Sequence, residues 1–283
     1  MANYEVMGAK PAALITHGVA KEYNIIGLSA NEFLQKHFER QGPSLVVSTD
    51  FELPRVCKQR MAVEPRVAGN TKPLVPLFTK ASDCVYTSCY CEENVWKLCQ
   101  DVATKHASEL QHCHVAFISN SRRSVPLWRQ RAGKDEDKLV VWDYHAILIY
   151  APDERAVVYD LDSALPFPTH FWKYATETFR SDEALRPEFH RRFRLVPASL
   201  YLQHFASNRQ HMKREDGTWI KTPPDYPPIS TPTCKDNLDS FINMDPGTGL
   251  GSVMSLKQLV NRFYRPNVNT PAPPSPQPQA TPT

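Results

Sequence analysis

The chain has 283 residues, of which 41% are hydrophobic, so it can bury one sizeable core with segments to spare. Its 33 Lys and Arg nearly balance its 30 Asp and Glu, which argues against a dedicated nucleic-acid surface. No apolar run approaches the roughly 20 residues of a membrane helix, and the N-terminus lacks the layout of a secretory signal, so we expect no membrane partner.

Three zones differ in composition. Residues 1–80 combine proline-interrupted stretches with a capping-box pattern that predicts a helix at 30–40, and we expect this N-terminal extension to be partly ordered at best. Residues 81–265 hold most of the aromatic and aliphatic side chains and predict one α+β domain. Residues 266–283 are rich in proline and nearly free of apolar side chains, which predicts a disordered tail.

The cysteines indicate a reducing compartment. Their number is odd and no signal peptide precedes them, which favours free thiols over a disulfide framework. The seven are Cys57, Cys84, Cys89, Cys91, Cys99, Cys113 and Cys234. We therefore expect a cytoplasmic protein, with the nucleus as a second location.

A helix is predicted to begin at Cys91. Val95, Leu98, Cys99 and Val102 recur at helical spacing and describe one buried stripe. The two glutamates after Cys91 fall in the first turn, where carboxylates suit the positive end of the helix dipole. Cys91 is thereby predicted to lie at the helix N-terminus.

A β-hairpin is predicted between residues 139 and 161, with its turn at Pro152–Arg155. In one register Asp162 lies opposite His145, and in a register slipped by two residues Asp160 lies there instead. Side chains alternate along a strand, so both registers place Asp160 on the same face as His145. The pattern itself does not choose between the two aspartates.

These elements together suggest a cysteine nucleophile. A helix N-terminus and a neighbouring imidazolium both lower a thiol pKa from about 8.5 towards neutrality. His145 could serve as general base and acid, with an aspartate holding its tautomer and orientation. Papain-like and transglutaminase-like folds have the same arrangement, in which a nucleophile on a helix faces a histidine and an aspartate on a sheet. Each residue could equally be structural, since buried cysteines and strand histidines commonly are.

Two other patterns in the sequence have alternative functional interpretations. Cys84, Cys89, Cys91 and Cys99, with two nearby histidines, could bind zinc, but the Cys-x-Cys spacing is tighter than a zinc knuckle and no second pair follows. The arginine-rich residues 186–194 could contact phosphate, but we interpret them as a solvated helix face with two phenylalanines turned inward.

Several strings resemble the protein N-terminal glutamine amidohydrolase family, which carries a Trp-Asp-Tyr-His-Val signature. The similarity runs in order through residues 81–265, with Ala146 in place of the signature's valine. The matching strings are Cys84–Asn94, Trp96–Cys99, Trp142–Ala146, Tyr159–Asp162, Leu165–Pro168, Phe205–Met212 and Asn243–Pro246.

The resemblance implies which residues are catalytic. The family's cysteine falls on Cys91, its histidine on His145 and its aspartate on Asp160, which decides between the two aspartates. It implies that 81–265 is a catalytic amidohydrolase domain that deamidates the N-terminal Gln of proteins and peptides. Neither a metal nor an organic cofactor is needed, and we expect a monomer whose product enters the arginylation branch of N-terminus-dependent degradation.

Other functions remain possible at this stage. The same three residues could serve a peptidase or a transglutaminase-like acyl transferase, both within the same fold class. Outside enzymes, the chain could be a zinc-stabilised interaction module.

Overall fold

The computed structural model describes residues 74–265, so the predicted helix at 30–40 and the proline-rich tail lie outside it. The α-helices of this range are α1 (Cys91–Lys105), α2 (Phe171–Tyr174), α3 (Ala198–His204), α4 (Leu238–Ile242) and α5 (Leu256–Phe263). A π-helical turn (Ala175–Phe179) continues α2, and 3-10 helices occupy Ala81–Asp83, Ala107–His112, Asp182–Ala184, Pro187–Phe189 and Gln210–Met212. Among the described helices, each is too short or too polar to cross a membrane.

An antiparallel sheet forms the centre of the described domain. Its strands lie in the order β6-β5-β4-β1-β7-β8, and each neighbouring pair is antiparallel. The strands are β1 (Cys113–Ser119), β2 (Val125–Leu127), β3 (Val140–Trp142), β4 (His145–Tyr150), β5 (Val157–Tyr159), β6 (Thr169–His170), β7 (Arg192–Pro197) and β8 (Ser252–Ser255). The second sheet consists of β2 and β3. The predicted α+β class with an antiparallel sheet is confirmed.

Helix α1 begins at Cys91, as its sequence predicts. The predicted stripe of Val95, Leu98, Cys99 and Val102 is buried and belongs to the apolar cluster on one face of the large sheet. This cluster also contains alternate residues of β4, so the buried stripe fixes the start of α1 against the strand that carries His145. A second cluster fills the opposite face of the sheet.

The hairpin forms in one of the two predicted registers. Leu148 pairs with Tyr159 and Tyr150 pairs with Val157. If this register is extended beyond the paired residues, Asp162 lies opposite His145. The prediction of one continuous strand up to Tyr150 is wrong, because the chain breaks at Asp143 and the preceding residues join the second sheet. The Asp143 carboxylate accepts the backbone N–H of the next residue at 2.9 Å, which replaces a strand hydrogen bond with a local one.

The arginine-rich segment is not the predicted helix face. Residues 187–189 form a 3-10 turn and Arg192–Pro197 form β7, with Phe193 fully buried in the sheet. The side chains of Arg191 and Arg194 are also buried, where they donate to Asp182 and to backbone carbonyls. A guanidinium offers five donors, so it can be buried where enough oxygens surround it, and these arginines hold the structure together.

Candidate active site

His145 and Asp160 form a buried pair at the end of the hairpin. Nε2 of His145 lies 3.0 Å from Oδ1 of Asp160, and both side chains are closed to solvent. The Asp160 carboxylate also accepts the backbone N–H of Asp162 at 3.0 Å and the hydroxyl of Tyr174 at 2.7 Å. The predicted shared face of Asp160 and His145 is therefore confirmed, although Asp160 follows the last residue of β5.

This pair determines the tautomer of the imidazole. An ionised carboxylate can only accept hydrogen bonds, so the proton between the two residues belongs to Nε2. In the neutral ring, Nδ1 then carries a lone pair that can accept a proton. Within the described residues, Nδ1 of His145 has no hydrogen-bond partner although the ring is fully buried. The nitrogen suited to act as a base is thus available.

The charges of the pair support each other. Burial by itself would lower the pKa of His145, but the charge and hydrogen bond of Asp160 outweigh it and raise that pKa above its ordinary value. Burial would likewise raise the pKa of Asp160, but His145 and the surrounding donors hold it below its ordinary range. The indole of Trp142 stacks on the imidazole with ring centroids 5.3 Å apart and fixes the plane of the ring.

Cys91 lies next to the strand position that follows His145. Cys91 and Ala146 both belong to the apolar cluster between α1 and the large sheet, and the backbone of Ala146 offsets only part of the rise that burial causes in the pKa of the Cys91 thiol. The thiol also donates to Oε2 of Glu92 at 3.6 Å. Cys91 therefore lies where α1 packs on β4, the strand that begins with His145, and within the described part of the chain no hydrogen bond joins its thiol to Nδ1 of His145.

The expected lowering of the thiol pKa is not found. Burial, followed by the negative charges of Glu92 and Asp162, raises the pKa of Cys91 well above its ordinary value. The favourable field of the helix N-terminus is too weak to offset the loss of hydration at Cys91, a residue that is only 2% exposed. The thiol is accordingly protonated at neutral pH in this structure, and it needs a base to become a nucleophile.

The described cysteines are all free thiols. Cys99 and Cys113, which the sequence suggested were small buried hydrophobes, lie in the core with no more than 1% exposure. Among the described residues, the group with metal-ligand geometry is His145, Asp160 and Asp162, whose ligand atoms lie within 4.8 Å of one another. Because Nε2 already binds Asp160, the same group serves equally well to orient an imidazole.

Comparison with known proteins identifies the family. The family model described as N-terminal glutamine amidase matches residues 86–263. The chain belongs to the N-terminal glutamine amidase family. It is 56% identical over 190 residues to the protein N-terminal glutamine amidohydrolases of Drosophila mojavensis and Drosophila melanogaster, covering 67% of this chain and 93% of each relative. The relative of the same description from Drosophila ananassae is 55% identical over 190 residues.

Several residues of the site in this N-terminal glutamine amidase were not found by sequence reasoning. The sequence pattern assigns Glu92 only to the positive end of the helix dipole. In the structure it is fully buried, and its Oε2 accepts the hydroxyl of Tyr144 at 3.0 Å. Its Oε1 lies 3.5 Å from Nε2 of His211, whose pKa is raised because Glu92 outweighs the effect of burial. The spacing of His211 from Cys91 gives no signal, although its segment is part of the resemblance.

Tyr174 was also missed. It follows Asp160 by 14 residues on another element, and its phenol is one of several in the chain. Only the packing of α2 beneath β5 brings it to the carboxylate. The family match extends over Tyr174 as well as Cys91, His145 and Asp160, so the whole hydrogen-bonded group lies inside the matched region.

Proposed function

We propose that this chain converts the N-terminal glutamine of proteins and peptides to glutamate and releases ammonia. The observation that carries the proposal is the match to the N-terminal glutamine amidase family over the region that contains the buried His145–Asp160 pair. Cys91 is the proposed nucleophile, since it lies at the start of α1 against the strand that begins with His145.

The reaction begins with proton transfer, because the resting Cys91 is a thiol. Nδ1 of His145 takes the thiol proton as the sulfur attacks the side-chain carboxamide carbon of the substrate, and Asp160 stabilises the imidazolium that forms. The C–N bond then breaks, and the imidazolium gives its proton to the departing amine, which leaves as ammonia. A γ-glutamyl thioester remains on Cys91.

Water completes the cycle. His145 removes a proton from a water molecule that attacks the thioester carbonyl, and the C–S bond breaks to give glutamate and the free thiol. Both tetrahedral intermediates carry an oxyanion that needs fixed donors. The backbone N–H of Cys91 suits this role, since the first N–H groups of a helix have no acceptor within the helix.

Wider aspects of the proposal follow from the same family resemblance. A helix that carries the cysteine and packs on an antiparallel sheet that carries the histidine supports a papain-like or transglutaminase-like relationship. The glutamate formed at the N-terminus would feed the arginylation branch of N-terminus-dependent degradation. We propose that the enzyme acts as a monomer in the cytoplasm, with the nucleus as a second location.

The test is a Cys91→Ala variant assayed with a peptide that begins with glutamine. Wild type should release ammonia and increase the peptide mass by about one unit, while the variant should release none above background. Cys234→Ala is the matched control, because this free cysteine belongs to neither the proposed triad nor the apolar cores. Activity in Cys91→Ala equal to wild type would refute the proposed nucleophile.

Assays with different substrates distinguish the rival activities. Release of ammonia from an internal glutamine, or transfer of an added amine onto the peptide, would favour a transglutaminase-like enzyme. Backbone cleavage would favour a peptidase, and near-stoichiometric zinc in purified protein without any hydrolysis would favour an interaction module.

A further inference from the structure

Glu92 lies between the Cys91 thiol and His211. Its Oε2 is 3.6 Å from the sulfur, and its Oε1 is 3.5 Å from Nε2 of His211. We propose that His211, when protonated, pairs with Glu92 and thereby lets the Cys91 thiol ionise more readily, so that it is a positioning residue for the nucleophile. This role rests on the proposed function and adds to it a second histidine, which acts through Glu92 and not by contact with the substrate.

Glu92 both orients the thiol and opposes its ionisation. One carboxylate oxygen accepts the thiol at 3.6 Å and the hydroxyl of Tyr144 at 3.0 Å. The backbone carbonyl of Glu92 accepts the hydroxyl of Tyr201 at 3.0 Å, so the residue is held at both ends. A carboxylate this close to a buried sulfur disfavours the thiolate, because like charges repel strongly where water is excluded. A cation beside the other oxygen of Glu92 offsets that repulsion.

The segment that carries His211 is anchored on both sides to the start of α1. The guanidinium of Arg209, two residues earlier, donates to both carboxylate oxygens of Glu93 at 2.7 and 2.8 Å. Met212, the next residue, is fully buried in a small apolar cluster with the two residues that precede α1. These contacts place the imidazole beside Glu92 as a fixed part of the fold.

The exposure of His211 suits a group that gains and loses a proton. Its side chain is 21% exposed, whereas that of His145 is completely buried. Burial lowers the pKa of His211, but the contact with Glu92 and the charge of that carboxylate outweigh burial and raise the pKa above its ordinary value. The imidazolium therefore persists to a higher pH than that of an ordinary histidine, and it is lost as the pH rises further.

Three aspartates add to the effect of Glu92. Asp143 and Asp236 act on His211, where their negative charges favour the imidazolium. Asp162 and Asp143 act on the thiol, where their charges oppose the thiolate. Each aspartate thus works in the same direction as Glu92, so the site both needs a cation and helps to keep one.

Other titratable and charged groups surround the same cluster. They are Cys89, Tyr90, Glu93, Tyr144, His145, Asp160, Tyr201, Arg209, Lys221 and Tyr226. Arg209 is held in a two-pronged ion pair by Glu93, and His145 is paired with the proposed catalytic aspartate. His211 lies at ion-pair distance from Glu92 and is therefore placed to offset the charge next to the thiol.

The experiment follows alkylation of Cys91 by iodoacetamide as a function of pH in the full-length enzyme, with tandem mass spectrometry to resolve Cys91 from the neighbouring cysteines. His211→Gln removes the cation and should move the rate–pH profile of Cys91 to higher pH, which lowers the rate at neutral pH by roughly 3- to 10-fold. In a Glu92→Gln background, the same substitution should cause no further shift, because the charge through which His211 acts is absent.

Two further variants guard against trivial effects. His170→Gln replaces an exposed histidine on β6 and should keep the wild-type profile. His211→Lys keeps a positive charge and should leave the profile near that of wild type, and it serves as the test if His211→Gln does not fold. A profile for His211→Lys at clearly higher pH than wild type would count against the charge pairing.

The outcomes that would overturn the role of His211 are specific. One is a folded His211→Gln variant whose Cys91 profile matches wild type, since any loss of activity would then be structural. Another is a shift of the same size with and without Glu92, since His211 would then act by another route. A wild-type enzyme that releases no ammonia from a peptide beginning with glutamine would instead refute the proposed function, which the alkylation profiles do not depend on.

Discussion

The hydroxyl of Tyr174 donates a hydrogen bond to Oδ2 of Asp160, the carboxylate oxygen that His145 does not use. Both oxygens are therefore occupied in a site closed to water, and the carboxylate can neither rotate nor lose its hydrogen bond to the imidazole without breaking another contact. His145, the proposed base, is consequently oriented through a chain of three residues, of which Tyr174 comes from α2.

Removing that outer contact should slow the reaction. We expect Tyr174→Phe to lower kcat by about tenfold, which corresponds to about 1.4 kcal/mol of lost stabilisation. The tyrosine helps to hold the pKa of Asp160 low, so the variant should lose activity at a higher pH on the acid side of its profile. Tyr150→Phe is the control, since its hydroxyl donates to Glu109 at 2.7 Å and Tyr150 lies at the opposite end of β4 from His145. Equal kcat and pH profiles for the two variants would contradict the role of Tyr174.

The protonated state of Cys91 can be tested by alkylation. Burial and then Glu92 raise the pKa of the thiol, so wild type should react slowly with iodoacetamide at neutral pH and faster as pH rises. Glu92→Gln removes one of the opposing charges and should move the rate–pH profile of Cys91 to lower pH. Tandem mass spectrometry of the peptide that contains residue 91 separates alkylation of Cys91 from alkylation of Cys89 in the same peptide. A shift to higher pH would show that Glu92 acts on Cys91 in some other way.

The buried ion pair between Arg209 and Glu93 should matter far more for stability than a surface pair. Its side chains are 4% and 0% exposed, so Arg209→Ala would leave a buried charge without its partner and cost about 3–5 kcal/mol. The exposed pair of Lys105 and Asp101 provides the comparison, and Lys105→Ala should cost far less because water screens this pair. Urea unfolding of both variants measures the difference. Similar midpoints would mean that Arg209 contributes little beyond its packing.

Residues just before the predicted boundary at 81 pack against the catalytic domain. The backbone N–H of Leu77 donates to the hydroxyl of Tyr159 at 2.7 Å, and the ring of Phe78 packs edge-on against Tyr159 at 5.2 Å. A protein that begins at residue 74 should therefore unfold at higher urea than one that begins at residue 81, by about 1–3 kcal/mol of apolar packing. Ammonia release by the longer form would also test whether residues 1–73 are needed. Equal stability of the two forms would place the boundary at 81, as the sequence suggests.

Local patterns predicted the elements of the site well. The stripe from Val95 to Val102 predicted α1 and its first residue, because burial of one helix face requires that spacing. The alternation of the hairpin placed Asp160 on the same face as His145, because the pleat alternates side chains regardless of which of the two registers forms. These features depend on residues close together in the chain, where geometry is fixed by the backbone.

The electrostatic state of the site was decided only by the tertiary structure. Whether Cys91 is a thiolate depends on how much water reaches it and which charges surround it. Glu92 is its neighbour in the chain, but the burial of the thiol and the approach of Asp162 come from packing. The same holds for Arg191 and Arg194. The sequence pattern predicts that they face solvent, but in the structure both are buried and donate to backbone carbonyls of distant segments. Sequence determines which groups are present, while desolvation and long-range contacts determine what charge each can carry.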